Sequence, residues 1–339
     1  MAGVIRSSRP VGRPQTGGVS SIELRPVASE QVEELCALTN RSQQFDGVPR
    51  VLTVEELLED LERPYHDLAL DARAAYRDGE LAGWARVWNP PSEASQERAY
   101  LLGEVDPAHR CQGVGRLLLG WSLARAEERL RSRAHDLPRF VRVDAFDSIE
   151  ANHRLYARLD FTPVRWFEEQ RRPLVDLPVV AVPRGAVLAS WPDDRDEEIW
   201  AVHNATFVDH WGSAPTTSED WSQAVRGHGA RPDLSTVALD ADTGAVVAHC
   251  LNHAYPEDDE LTGRREAWID SVGTLRDWRR RGLASAMIAW SMEAFAAAGF
   301  THAMLGVDTD NPTGAARLYR DLGFEPERRS ITYQIEVAI

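Results

Sequence analysis

The sequence predicts an α/β chain in which one unit of strands and helices is built twice. A glycine turn occurs in two copies, Arg110-Cys111-Gln112-Gly113-Val114-Gly115 and Arg279-Arg280-Arg281-Gly282-Leu283-Ala284. Aligning Gly113 with Gly282 also aligns Trp121 with Trp290 and Ser122 with Ser291. Further on, Arg154-Leu-Tyr156-Ala-Arg-Leu-Asp-Phe161 parallels Arg317-Leu-Tyr319-Arg-Asp-Leu-Gly-Phe324. Two matches in the same order read as an internal duplication.

In the first unit, Ile22 to Val27 alternates like a strand. Ser29 is expected to cap a helix to Leu38, and Thr53-Val-Glu-Glu56 fits a capping box opening a helix to about Leu61. Strands are predicted over 68–76, 81–88 and 99–105, with Asp78-Gly79-Glu80 as the first turn. A helix follows Gly113 to about Arg131. Then come a strand over 140–146, a helix over 149–159 and a closing strand pair over 162–175. The second unit repeats the order: a strand at 187–189, helices over 194–207 and 218–225, and a hairpin of 235–240 with 245–253. Its strand over 267–274 leads into the second glycine turn, and Gly299 ends the helix after that turn. Strand, helix and strand at 302–307, 312–322 and 325–337 complete it. The proline-rich stretch 172–184 is the expected linker, which gives domains at 21–171 and 185–339. Residues 1–20, rich in Arg, Ser, Gly and Pro, are expected to form a disordered tail.

At 339 residues the chain has room for two domains, and 43% hydrophobic with 27% charged residues is a globular balance. A net charge of −15 argues against nucleic acid or an anionic membrane as the main partner. The three cysteines, Cys36, Cys111 and Cys250, are far apart, so neither a disulfide framework nor a zinc site is expected. No apolar run is long enough to span a bilayer, and a reducing cytoplasm is the expected setting.

The glycine turn carries the chemistry. Glycine permits unusual dihedrals and close backbone approach. A turn of this form before a helix aims several N–H groups into one concavity, where the helix dipole adds positive potential. That suits a pyrophosphate, with Arg110, Arg116, Arg279 and Arg281 adding charge around it. The bland alternative is a tight turn that binds nothing. No P-loop motif and no G-x-G-x-x-G fingerprint is present.

The order strand, R/Q-x-x-G-x-G/A, helix, strand, then a helix carrying L-Y-x-x-x-G-F, resembles the GNAT superfamily of acyl-CoA-dependent N-acyltransferases. The match is strongest in the second unit, over Val272 to Ala284 and Asn311 to Phe324. The layout is similar to the actinobacterial two-domain group of mycothiol synthases. The resemblance implies two tandem GNAT folds, each an α+β mixed sheet, with acetyl-CoA or another short acyl-CoA in a V-shaped gap. It implies cofactor contacts from Val272, Gly273, Thr274, Arg279 to Ala284 (Arg280 included) and Asn311. In the first unit it implies them from Gly103, Glu104, Val105 and the run Arg110, Cys111, Gln112, Gly113, Val114, Gly115 and Arg116. The resemblance also implies that an amine attacks the thioester directly. Tyr319 takes the general acid's position, against the alternative of a core tyrosine. Asp270, in phase with Val272 and Thr274, is the candidate base, with Glu266 weaker.

Asp209, His210 and Trp211 fall where such proteins build the acceptor pocket, although a capped and packed helix end reads equally well. His249 and His253 share a hairpin face that could approach the site, and no metal is expected. In the first unit Ser148 stands in place of Asn311 and Asp160 in place of Gly323, which favours catalysis in the second unit. The expected activity is acetyl transfer to a small-molecule primary amine by a monomer or homodimer. The alternatives are a protein or peptide N-acetyltransferase, or a tandem fold that senses acyl-CoA without turnover.

Overall fold

The second half of the chain follows the first element for element. The computed structural model describes residues 21–338 except 64, 91–95, 135, 209, 213 and 311–313. The expected tail over 1–20, Asp209 and Asn311 lie outside the described residues. The first half runs β1 (Ile22–Pro26), α1 (Val32–Phe45), α2 (Val54–Leu61), α3 (Leu68–Asp71), β2 (Ala72–Arg77), β3 (Glu80–Trp88) and β4 (Glu97–Val105). It continues with α4 (Val114–Arg131), β5 (Arg139–Phe146), α5 (Glu150–Ala157) and β6 (Thr162–Pro173). The second half runs β7 (Ala186–Ser190), α6 (Asp196–Phe207), α7 (Ser218–Arg226), β8 (Thr236–Asp240) and β9 (Val246–Ala254). Then follow α8 (Asp259–Thr262), β10 (Glu266–Thr274), α9 (Leu283–Ala297), β11 (His302–Asp308), α10 (Ala315–Asp321) and β12 (Glu325–Glu336).

Local signals explain most boundaries. Thr53 caps α2 by accepting the Glu56 N–H at 3.0 Å. The Glu56 carboxylate does not close the reciprocal box but pairs with Arg50. Ser29 is not a cap: it begins a 3-10 turn whose end is held by Gln31 accepting from the Ala28 N–H, and α1 runs on to Phe45. Residues 68–71 are helical rather than extended, because the Asp67 carboxylate caps the N–H groups of Ala69 and Leu70.

The largest departure from expectation is at the ends of the two halves. The stretch expected as a closing pair is the single strand β6. One twelve-stranded sheet runs β1-β2-β3-β4-β5-β12-β6-β11-β10-β9-β8-β7. Each half's last strand thus pairs with the other half: β12 lies beside β5, and β6 beside β11. The exchange covers two edges that would otherwise stand open. Cross-strand pairs Arg328–Glu169, Arg329–Glu168 and Arg171–Glu327 straddle the central β6–β12 seam. Tyr333 and Val337 from the chain's end pack in the first half's core, against Phe161, Leu119 and Val141.

Both halves also open the sheet at one point. Strand β4 pairs with β5 in parallel only from Glu97 to Tyr100, and β10 with β11 only from Glu266 to Ile269. Beyond Tyr100 and Ile269 the neighbours diverge, which leaves a V-shaped gap in front of each glycine turn.

Candidate active site

The two glycine turns share one backbone. Gly113 and Gly282 hold left-handed φ values of 93° and 88° as the N-caps of α4 and α9. Cys111 and Arg280, two residues earlier, are left-handed as well, at 60° and 62°. Neither helix has a side-chain cap, so the first-turn N–H groups are left for another acceptor. Val114 and Leu283 point into the core, so only their backbone faces the turn.

Arg110 and Arg279 turn inward rather than toward a phosphate. Arg110 donates through Nε to the Val105 carbonyl at 3.2 Å and pairs with Asp46. Arg279 donates to the Thr274 carbonyl at 3.0 Å and to the Thr206 carbonyl at 3.1 Å. Both brace the strand end against the first helix of their half. Gln112 donates to the Ala108 carbonyl, Arg281 stacks 4.8 Å from the Trp278 ring, and Arg116 lines the first cleft. Arg280 is exposed on the turn.

The first cleft has a volume near 650 Å³ and is walled by Gly103, Glu104, Val105, Arg116, Arg154 and Tyr156 among others. Ser122 Oγ is buried there without a partner, whereas Glu104 and Tyr156 are engaged. Ser42 donates to Glu104 at 2.5 Å and receives Arg110 Nη2 at 2.7 Å. Burial raises the Glu104 carboxyl above its usual range, with the Ser42 bond opposing. The Tyr156 hydroxyl donates to the Asp144 carbonyl at 3.1 Å, and its pKa is pushed up by burial.

The second gap is built differently. Strand β10 carries a bulge between Ile269 and Ser271 that leaves Asp270 without a partner on β9. Pairing with β11 has already ended at Ile269, so Asp270 is free on both flanks. The bulge breaks the alternation expected of Asp270, Val272 and Thr274. Val272 packs on the α9 side with the core, whereas Asp270 lies 3.7 Å from His253 Nδ1 on the other face. Crowding by protein raises the Asp270 carboxyl, and His253 pulls the opposite way. Glu266 sits at the far end of β10, buried and paired with Arg264 at 2.6 Å, away from the gap.

Tyr319 packs edge-on to Phe324 at 6.3 Å, and burial pushes its pKa up to about 12. Among the described residues its hydroxyl makes no hydrogen bond. Gly273 is required by close approach: a Cβ there would lie 2.3 Å from Thr206 Oγ1 and 2.4 Å from His249 Cε1. His249 is fully buried and meets His203 at 3.2 Å, and burial lowers their pKa values to about 3 and about 4. The Thr274 hydroxyl is buried beside the turn without a partner. An extended amide-bearing ligand fits these features: an orphaned hydroxyl, uncapped N–H groups and an open gap.

The expected acceptor residues divide. His210 stacks on Phe207 at 4.5 Å at the end of α6. Trp211 lies under Arg142 at 4.1 Å and Arg165 at 5.5 Å, both from the first half. What closes the Asp270 side was not predicted. Arg50 lies over Tyr255, which stacks on His253, and the Val51 N–H donates to Asp258 at 2.6 Å. Burial raises Asp258 to about 6 and Tyr255 to about 12. Glu56 of the first half also meets His228 and Glu257, with potential ligand atoms within 4.8 Å of one another. The contacts between the halves join residues far apart in the chain, 207 positions for Val51 and Asp258, and no local pattern announces them.

The acetyltransferase (GNAT) family model matches residues 34–161 and again 197–324. Mycothiol acetyltransferase of Streptomyces coelicolor is 27% identical over 96% of this chain and 97% of its own length. That of Frankia alni is 28% identical over 96% of each. A GCN5-related N-acetyltransferase from Sphaerobacter thermophilus superposes with a TM-score of 0.73 at 26% identity, covering 94% of this chain and 96% of that one. A tandem GNAT protein from the clavulanic acid biosynthesis pathway shares the fold, with a TM-score of 0.68 at 20% identity over 94% of this chain and 99% of that one.

Proposed function

The chain belongs to the acetyltransferase (GNAT) family and is an N-acetyltransferase, and from that premise we propose that its second half moves acetyl from acetyl-CoA to a small-molecule primary amine. The observations that carry the choice of half are the bulged Asp270, unpaired on both flanks of its strand, and a Tyr319 hydroxyl that makes no hydrogen bond among the described residues. Acetyl-CoA supplies an activated acetyl thioester. The N–H groups after Gly282 hold its pyrophosphate, with Arg280 and Arg281 adding exposed charge. The strand end from Val272 to Thr274 borders the arm.

Asp270, its carboxyl raised above the usual range and backed by His253, receives a proton from the acceptor ammonium. The neutral amine attacks the thioester carbonyl carbon, and the carbon–sulfur bond breaks. Tyr319, protonated at neutral pH, gives its proton to the departing sulfur and is reprotonated by the surplus proton that leaves the new amide nitrogen, while Asp270 releases its proton to solvent. The first cleft, with its glycine turn and its rim of Arg116, Arg154 and Arg158, holds a second acyl-CoA without turning it over. Relatives named mycothiol acetyltransferase favour a small polar acceptor over a protein. The His210 end of α6 and the Arg50–Tyr255 cover form the walls of its pocket, and the chain works in the cytoplasm. The test is CoA release from acetyl-CoA with a panel of small primary amines. Turnover that vanishes in Asp270→Asn supports the reading, and turnover unaffected by it refutes the assignment of the base.

A further inference from the structure

A second cavity, of about 290 Å³, lies at the seam between the halves, on the α2 side of the sheet. Arg63, Arg98, Trp88 and Tyr100 of the first half form one wall, and Thr216 and Thr217 of the second form the other. Arg98 alternates with Tyr100 along β4, so both side chains leave the same face. Arg98 is 9% exposed, its Nε–H has no hydrogen-bond partner, and among the described residues no carboxylate pairs with it. Arg63 Nε is also buried and unpartnered, although its Nη2 reaches Asp60 at 2.9 Å. Asp60 is shared with Arg86, and Asp220, the other acid at the cavity, accepts from Thr217. Arg142 on the next strand is buried too, and it is held by the amide oxygens of Gln96 and Gln334 rather than by an acid.

A buried guanidinium without an anion is costly, and the two arginines whose buried Nε–H groups lack partners both line this one cavity. We propose that this cavity binds a small organic anion, a carboxylate or a phosphate ester, through Arg63 and Arg98. Its body rests on the Trp88–Tyr100 pair, whose rings stack at 5.4 Å. Planar guanidinium groups match either oxyanion in bidentate fashion. The second half's wall is firm: Thr216 is pinned by Trp200, Asn204 and His203. The ligand therefore touches both halves at once.

Isothermal titration of the full chain with inorganic phosphate and with benzoate, at constant ionic strength, tests the site and separates the two headgroups. One saturable site per chain for either probe is expected. Arg98→Met should weaken it at least about tenfold, or about 1.4 kcal/mol, and Arg98→Lys should weaken it less. If Arg98→Met does not fold, Arg63→Met, at a partly exposed side chain, should show the same loss. Absence of saturable binding of both probes overturns the proposal. Binding that survives both Arg63→Met and Arg98→Met lies elsewhere, at the glycine turns for instance, and overturns it too.

Discussion

The two clefts have the same glycine turn and opposite use of the groups around it. In the first, Tyr156 gives its hydroxyl to a carbonyl, Glu104 is bound by Ser42, and β4 runs past the divergence without a bulge. In the second, the matching Tyr319 is uncommitted, Gly273 stands where Glu104 would be, and Asp270 bulges out of β10. Deeper in, Trp84 donating to Thr39 at 3.0 Å occupies the place that His249 and His203 fill in the second half. The two turns share one backbone, with a left-handed glycine and an uncapped helix N-terminus in each. Chemistry needs donors and bases that are not already spent, and on the proposed account Tyr319 and Asp270 supply them in the second cleft.

Removing the free hydroxyl is the strongest way to break this contrast. Tyr319→Phe is expected to lower kcat by roughly 10²–10⁴, with the KM for acetyl-CoA little changed, as steady-state kinetics would show.

The paired histidines sharpen the contrast through stability. Both have folded pKa values depressed below the ordinary 6.5, to about 4 and about 3. Above 6.5 neither state binds the extra protons and the fold is at full strength. As pH falls below 6.5 the unfolded chain takes up protons first, so stability drops until the folded pKa values are reached. Between pH 7 and 4.5 the loss should be roughly 3–5 kcal/mol. Urea titrations should record it, and His203→Phe should flatten the slope. Mutation of Thr39 or Trp84 should leave the slope as it was.

Asp270→Asn should cost on the order of 10² in kcat/KM and remove the acid limb of the pH profile. That limb should sit above the usual carboxylate range in the wild type, since Asp270 is raised. An unchanged limb would pass the role of base to another group. The smallest effect belongs to the turns. Gly282→Val forces a side chain into left-handed backbone, at about 1–2 kcal/mol, and fills space above the α9 N-terminus. It should raise the KM for acetyl-CoA, whereas Gly113→Val should lower cofactor stoichiometry with turnover retained.

The repeat, the glycine turns and nearly all elements were legible because each is announced locally, by periodicity, caps and left-handed glycines. Strand exchange was not. The alternation of Thr162 to Pro173 says that a strand forms there but not which edge it joins. The inward turn of Arg110 and Arg279 was hidden as well, because their partners, Asp46 and the Thr206 carbonyl, lie on distant helices. Asp270 was proposed from its position on β10, and the bulge gives it a different phase from the one expected. A bulge is set by the neighbouring strand and leaves no mark in the local pattern. Tyr156 and Tyr319 sit in nearly identical sequences, and only packing distinguishes a hydroxyl that is spent from one that is free.

The most direct test sets those two tyrosines side by side in one CoA-release assay with the same amine panel. Catalysis in the second cleft predicts near wild-type turnover for Tyr156→Phe and loss of two or more orders of magnitude, about 10², for Tyr319→Phe. Loss in Tyr156→Phe with Tyr319→Phe still active would contradict it.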